Sequence, residues 1–89
     1  MLMNKFEILK NKIKYRSSYR GLKEMDILLS TFAASIVNCL NSEELEDLIF
    51  FLECSDEDIY NFYMYGKKIP NFTKIKILNL FKNFKIKTT

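Results

Sequence analysis

The chain has 89 residues, of which 48% are hydrophobic and 15% aromatic, and it carries a formal net charge of +3. This composition is typical of one folded domain and excludes a disordered chain, while two glycines and one proline leave little turn material for a β fold. The chain contains no histidine, so the commonest general base and metal ligand is missing.

The cysteines and the apolar runs bear on location. Cys39 and Cys54 have no neighbours at zinc-ligand spacing and are typical of a reducing compartment. No apolar run approaches the roughly 18 residues that a membrane span needs, and the basic N-terminal segment lacks the pattern of a secretory signal. We therefore predict a cytoplasmic protein without a metal site.

The charges fall into three blocks. Residues 1–23 hold seven Lys or Arg and one acid, residues 24–58 hold ten acids and no base, and residues 59–89 hold seven lysines and no acid. Blocks of opposite sign attract each other in a compact fold and give it a dipolar surface. The solvated faces of amphipathic helices explain most of this pattern.

The first part of the chain predicts two helices. Asn4 and Glu7 have the spacing of a capping box, which predicts a first helix over about 4–17, stopped by Gly21. The strongest helical periodicity follows over 22–40 and predicts a central helix. One face of this helix collects the apolar residues Leu22, Met25, Leu29, Phe32, Ala33, Ile36 and Leu40.

A third helix is predicted over about 42–54. Asn41 and Glu44 again have capping-box spacing, and apolar residues then recur at helical intervals. Phe50 and Phe51 are expected to widen the apolar face of this helix.

Two further helices complete the predicted fold. Ser55 begins a fourth helix that Gly66 ends, and Asn71 is expected to cap a last one. The core-facing residues of the last helix are expected to be Ile75, Leu78 and Phe81. Short connections between five helices predict an all-α, compact five-helix bundle, a single domain over 1–89 with a flexible tail from about residue 82.

The segment from Arg20 to Asp26 forms the corner between the first two helices. A glycine can turn the backbone through positive φ or allow another chain to approach closely. Glu24 and Asp26 are favourable in the first turns of a helix because of its macrodipole. The segment therefore predicts a small, charged, partly backbone-exposed surface feature, as expected of a docking site.

No set of residues predicts catalysis. Most carboxylates lie in predicted first turns, where capping and the helix dipole explain them, and no nucleophile is paired with a base. Gly21 and Gly66 are too few for a phosphate-binding loop. We predict that the chain is not an enzyme, and the lysines of its two ends leave nucleic-acid binding open as an alternative, beside a non-catalytic scaffold.

Three motifs in register carry a resemblance to a known family. In chain order they are Arg20-Gly21-x-x-Glu24-x-Asp26, Leu52-Glu53-x-x-Asp56-x-Asp58, and Gly66 with Pro70. In this order and at these spacings, over roughly 15–72, the chain resembles the small succinate dehydrogenase assembly factors known as flavinators. The fold of that family is a five-helix bundle.

The resemblance implies a non-enzymatic assembly factor. Such factors bind the flavoprotein subunit of succinate dehydrogenase, in some bacteria also that of fumarate reductase, and promote covalent attachment of FAD to a histidine of that subunit. By motif, Arg20, Gly21, Glu24 and Asp26 are the expected partner-binding residues, whereas Tyr19 stands where the family commonly has a second basic residue. We expect a monomer of the bacterial cytoplasm that forms a 1:1 heterodimer, binds no cofactor tightly and acts on the FAD of its partner.

Overall fold

The computed structural model describes residues 4–85, and every regular element in that range is helical. The five α-helices are α1 (Lys5–Ser17), α2 (Lys23–Ile36), α3 (Ser42–Leu52), α4 (Asp56–Tyr65) and α5 (Ile75–Lys82), and one 3₁₀ turn (Val37–Cys39) follows α2. The predicted all-α fold of five helices is confirmed. No helix between residues 4 and 85 has the length and apolar character that crossing a bilayer requires.

Local capping signals set most of the helix ends where the sequence predicts them. Asn4 caps α1 and Ser55 caps α4, each accepting a hydrogen bond from the backbone N–H three residues on, at 2.8 and 3.1 Å. Asn41 begins α3 in a complete capping box with Glu44. Gly66 ends α4 in the left-handed conformation, with φ of 71°. Each of these residues satisfies, or allows the backbone to satisfy, groups that a helix end leaves unpaired.

Two predicted helix ends are wrong by a few residues. The central helix ends as α2 at Ile36 and tightens into the 3₁₀ turn, and α3 ends at Leu52 rather than near residue 54. At the end of α3 the N–H of Glu53 bonds to carbonyls three and four residues back. Such bonds tighten the last turn of a helix and end it early.

Three phenylalanines from three helices form the centre of the core. Phe32 of α2, Phe51 of α3 and Phe81 of α5 are completely buried, and their ring centroids lie 4.9, 5.1 and 6.2 Å apart in edge-to-face pairs. This geometry is favourable because the positive edge of one ring meets the negative face of the next. Helix α1 packs against both α2 and α3 and buries Ile13.

Some side chains lie elsewhere than the periodicity predicts. Phe50 is 62% exposed, because neighbouring helix positions point about 100° apart and Phe51 takes the core position. Asn71 does not cap α5: its φ is 63°, and α5 begins only four residues later. Ile75 is consequently exposed, and Ile77 is buried instead.

The chain still contacts the core just beyond α5, at Phe84. The Tyr63 hydroxyl donates a 2.7 Å hydrogen bond to the carbonyl of Phe84, and the Phe84 ring lies 5.4 Å from that of Phe32. These contacts hold the chain against the core beyond α5. The remainder of the predicted tail, residues 86–89, lies outside the described residues.

Candidate partner-binding corner

The corner between α1 and α2, residues 18–26, turns at a tyrosine rather than at the glycine. Helix α1 ends at Ser17, and the next residue is already extended. Tyr19 has φ of 58°, whereas Gly21 does not lie in the left-handed region. The prediction that Gly21 stops α1 is therefore wrong, and the backbone conformation at position 21 does not require a glycine.

Arg20 points inward and joins the corner to the turn between α3 and α4. Its Nε donates to Oδ1 of Asp56 at 2.7 Å, and its terminal nitrogens donate to the carbonyls of Arg16, Leu52 and Cys54 at 2.9, 2.6 and 3.1 Å. The side chains of Arg20 and Asp56 are only 11% and 21% exposed. Four of the five guanidinium donors are therefore used inside the molecule.

The acceptors of Arg20 explain why the cation stands there. Arg16 lies in the last turn of α1, Leu52 ends α3, and Cys54 follows it, so their carbonyls lie at or just beyond helix C-termini, where partners inside the helix are missing. A cation is also favoured at this end of the helix dipole, and an aspartate at the start of α4 is favoured at the opposite end. One guanidinium thus fixes α1, α3 and α4 relative to each other.

The outer side of the corner has no such internal partners. Gly21 and Glu24 are exposed and Asp26 is partly buried. Within residues 4–85, neither carboxylate accepts a hydrogen bond or forms an ion pair. A methyl group placed on Gly21 would lie 3.8 Å from Oδ2 of Asp56, which is an ordinary contact. The outer side therefore offers open backbone and free charge to another molecule.

Two tyrosines stand beside this open backbone. Tyr15 and Tyr19 are 68% and 82% exposed, and their ring centroids are 5.8 Å apart. Together with Gly21 and Asp56 they line a shallow cavity of about 550 Å³, which we name the Gly21 cavity. At its margin Arg16 and Glu53 form a loose ion pair at 3.8 Å.

The thiol nearest to the corner has the properties of a structural cysteine. Burial and the nearby Asp58 carboxylate raise the pKa of Cys54, which keeps the thiol protonated and a poor nucleophile. Its Sγ lies 3.6 Å from the carbonyl of Phe50. In the described part of the chain, no group of three or more metal-ligating side chains comes together.

The structure brings the four predicted site residues to one corner but gives them two different surroundings. Arg20 faces inward, whereas Gly21, Glu24 and Asp26 lie on the outer side. The link between Arg20 and Asp56 was missed, although the opposite charges of the two motifs are a signal that could have suggested it. Nothing in the local pattern indicates the conformation of Tyr19, since left-handed backbone is rare for a bulky residue.

Comparison with known proteins adds an independent observation. The family described as "flavinator of succinate dehydrogenase" matches residues 11–85. The chain is 31% identical over 78 residues, 88% of its length, to the mitochondrial succinate dehydrogenase assembly factor 2 of Dictyostelium discoideum, of which this match covers 55%. It is 36% identical over 78 residues to the corresponding factor 2-A of Drosophila willistoni, covering 85% of this chain and 50% of that protein.

A shorter stretch matches a yeast relative at higher identity. Over 49 residues the chain is 45% identical to the mitochondrial assembly factor 2 of Saccharomyces cerevisiae, covering 55% of this chain and 30% of the yeast protein. The chain thus spans about half the length of the Dictyostelium and Drosophila relatives. No solved structure shows significant similarity to it.

Proposed function

Because the chain belongs to the family of flavinators of succinate dehydrogenase, we propose that it binds the flavoprotein subunit of that enzyme and promotes covalent attachment of FAD to a histidine of the subunit. The observation that carries this proposal is the two-sided corner: Arg20 is fixed inside, while Gly21 and Glu24 are exposed and Asp26 is partly exposed, with neither carboxylate paired within residues 4–85. A surface so fixed is pre-organised for a partner, which lowers the entropy lost on binding.

The four residues have two roles in this proposal. Gly21 allows the partner's backbone to approach, and Glu24 and Asp26 accept charge-assisted hydrogen bonds from it. Arg20 is a positioning residue, because its bonds to Asp56 and to the helix-end carbonyls hold the other three in place. Its own contact with the partner is limited to its one remaining donor.

The chain acts on the flavin of its partner rather than as an enzyme with its own cofactor. It has no histidine, so the residue that becomes linked to FAD belongs to the flavoprotein. The contribution of the factor is to hold a mobile part of the flavoprotein so that histidine and flavin meet, and such positioning can accelerate a reaction by many orders of magnitude. FAD need not be bound tightly by this chain.

The proposed location and stoichiometry follow from the same function. We place the factor in the bacterial cytoplasm as a monomer that forms a 1:1 heterodimer, with fumarate reductase as a possible second client. The names of the relatives assign them to mitochondria. The nucleic-acid alternative is less well supported, because Lys74 and Lys76 are paired with Asp47 and Glu44.

Co-expression of the flavoprotein subunit with and without this chain tests the function. Covalently bound flavin survives a denaturing gel, so we expect a fluorescent flavoprotein band that depends on the chain. An equally bright band in its absence would overturn the proposal. Co-purification of the two proteins without any change in fluorescence would favour the scaffold alternative, and DNA or RNA binding that weakens steeply with salt would favour nucleic-acid binding.

A further inference from the structure

Tyr19 combines a strained backbone conformation with an exposed side chain. A left-handed conformation is unfavourable for a bulky residue because its Cβ lies too close to the following carbonyl oxygen, and Tyr19 adopts it at φ of 58°. Its side chain is 82% exposed, and among the aromatic rings of residues 4–85 its ring pairs with that of Tyr15. Strained residues held at a surface are characteristic of binding sites, so Tyr19 is a candidate for contact with another molecule.

The floor of the Gly21 cavity has a free hydrogen-bond acceptor. Arg20 bonds to Oδ1 of Asp56, while Oδ2 faces Gly21 and receives no hydrogen bond from the described residues. At the margin, Glu53 has a single ion pair, at 3.8 Å, which is longer than a hydrogen bond. The donors of Arg20 are nearly all engaged, and Arg16, the other arginine of the lining, faces Glu53 at the margin. The floor itself, at Asp56, is therefore better suited to accept a hydrogen bond than to donate one.

An open acceptor beside two exposed aromatic rings favours one kind of occupant. Cations are attracted to the faces of tyrosine rings within about 6 Å, and a carboxylate oxygen forms a charge-assisted hydrogen bond with the same cation. We infer that the Gly21 cavity receives a positively charged side chain, an arginine or a lysine, of the flavoprotein subunit. This inference rests on the proposed function and specifies the partner's chemistry at the corner.

The inference also explains the glycine. Because neither the backbone conformation nor internal packing excludes a side chain at position 21, the reason for a glycine must lie outside the chain. A long side chain there would occupy the space over Asp56 that the partner's cation needs. Tyr15 and Tyr19 then form the wall of the cavity, and Asp56 forms its floor.

Three variants of position 19 separate a cation contact from a merely apolar one. Tyr19→Phe keeps the ring, Tyr19→Leu keeps an apolar side chain without a ring face, and a fluorinated phenylalanine keeps the ring shape but removes negative charge from its face. All three retain a non-glycine residue in the left-handed region, so backbone strain stays comparable. Affinity is measured by isothermal titration calorimetry with the purified flavoprotein subunit. The Kd of Tyr19→Phe should lie within about twofold of wild type, whereas Tyr19→Leu and the fluorinated variant should bind about tenfold more weakly.

The controls distinguish failure of this inference from failure of the proposed function. Tyr65 is another exposed tyrosine (67%) at the far end of α4 from Asp56, about 13 Å along the helix, and Tyr65→Leu should bind as wild type. If Tyr19→Leu and the fluorinated variant bind normally while Glu24→Ala binds weakly, the cation contact is overturned and the function stands. If the wild-type chain does not bind the flavoprotein, both are overturned.

Discussion

Glu24 and Glu44 occupy comparable positions in two helices, yet their surroundings differ. Glu44 completes the capping box of α3 and accepts a hydrogen bond from Lys76. Glu24 lies in the first turn of α2, whose N-cap residue, Leu22, makes no side-chain cap, and within residues 4–85 it has no side-chain partner. Glu44 therefore stabilises the fold, whereas the carboxylate of Glu24 is unpaired within residues 4–85.

The same contrast separates the two regions that contain them. Where α5 meets α3, the lysines Lys74 and Lys76 each pair with a carboxylate of α3. At the corner, Arg20 joins helix ends, and Glu24 and Asp26 have no side-chain partner within residues 4–85. If the proposed function holds, the motif contains a structural part, Arg20, and a recognition part, Glu24 with Asp26, which mutations should separate.

The largest expected effect is on stability, from Arg20→Ala. The substitution leaves the Asp56 carboxylate and three carbonyls without their donor, which we expect to cost about 3 kcal/mol of the free energy of unfolding. Urea denaturation, monitored by circular dichroism, measures this loss in the free energy of unfolding. The matched control is Arg16→Ala, whose exposed ion pair with Glu53 should contribute about 0.5 kcal/mol or less.

An Arg20→Ala variant as stable as the Arg16→Ala control would contradict the structural role of Arg20. In that case the guanidinium would be available to the partner. The Kd for the flavoprotein would then weaken without a loss of stability, and Arg20 would belong with Glu24 on the recognition side.

The second largest effect that we expect is a loss of binding to the flavoprotein in Gly21→Arg. The added side chain fills the Gly21 cavity, so we expect the Kd for the flavoprotein to weaken about 30-fold or more while helical content is unchanged. Gly21→Ala is the control, because its methyl group makes only an ordinary contact with Asp56 and should change stability by less than about 0.5 kcal/mol. Unfolding of either variant would show that the glycine is needed by the fold itself.

The smallest effect is a pH dependence at the junction of α3 and α5. The hydrogen bond from Lys76, and next that from the backbone of Asn41, lower the pKa of Glu44 below its ordinary value of 4.5. A carboxylate with a lowered folded-state pKa stabilises the fold fully above that ordinary value, and its contribution is lost as the pH falls through the folded-state pKa.

Glu44→Gln should therefore be less stable than wild type near neutral pH and approach it in acid. The difference in melting temperature between wild type and Glu44→Gln, measured by thermal unfolding from about pH 7 to about pH 3, tests this prediction. Lys76→Met should reduce the change in stability with pH, because it removes the main hydrogen-bond donor to Glu44. A stability difference between wild type and Glu44→Gln that stays constant across this pH range would contradict a stabilising role of the ionised Glu44 carboxylate.

The sequence predicts what depends on neighbours in the chain. The caps at Asn4, Asn41 and Ser55 and the stop at Gly66 each involve groups a few residues apart, and all four are confirmed. Asn71 was mistaken for a cap because an asparagine suits both a cap and a left-handed turn, and only the path of the chain decides between them.

The structure of the corner depends on contacts that are distant in the sequence. Arg20 and Asp56 are 36 positions apart, so no local pattern pairs them, and their motifs indicate only that both matter. Once Arg20 is anchored to the end of α3, the chain must turn sharply before it, and Tyr19 takes the left-handed conformation expected of Gly21. The sequence therefore predicts that the four residues lie at one corner, whereas the inward direction of Arg20 is visible only in the structure.

The most direct test of the account compares the two glutamates in one assay. The flavoprotein subunit is co-expressed with wild-type chain, Glu24→Ala or Glu44→Ala, and its band is examined for flavin fluorescence after a denaturing gel, with circular dichroism confirming that each variant is folded. We predict a dark band with Glu24→Ala and a bright one with Glu44→Ala. A bright band with Glu24→Ala would contradict the claim that the outer side of the corner binds the flavoprotein.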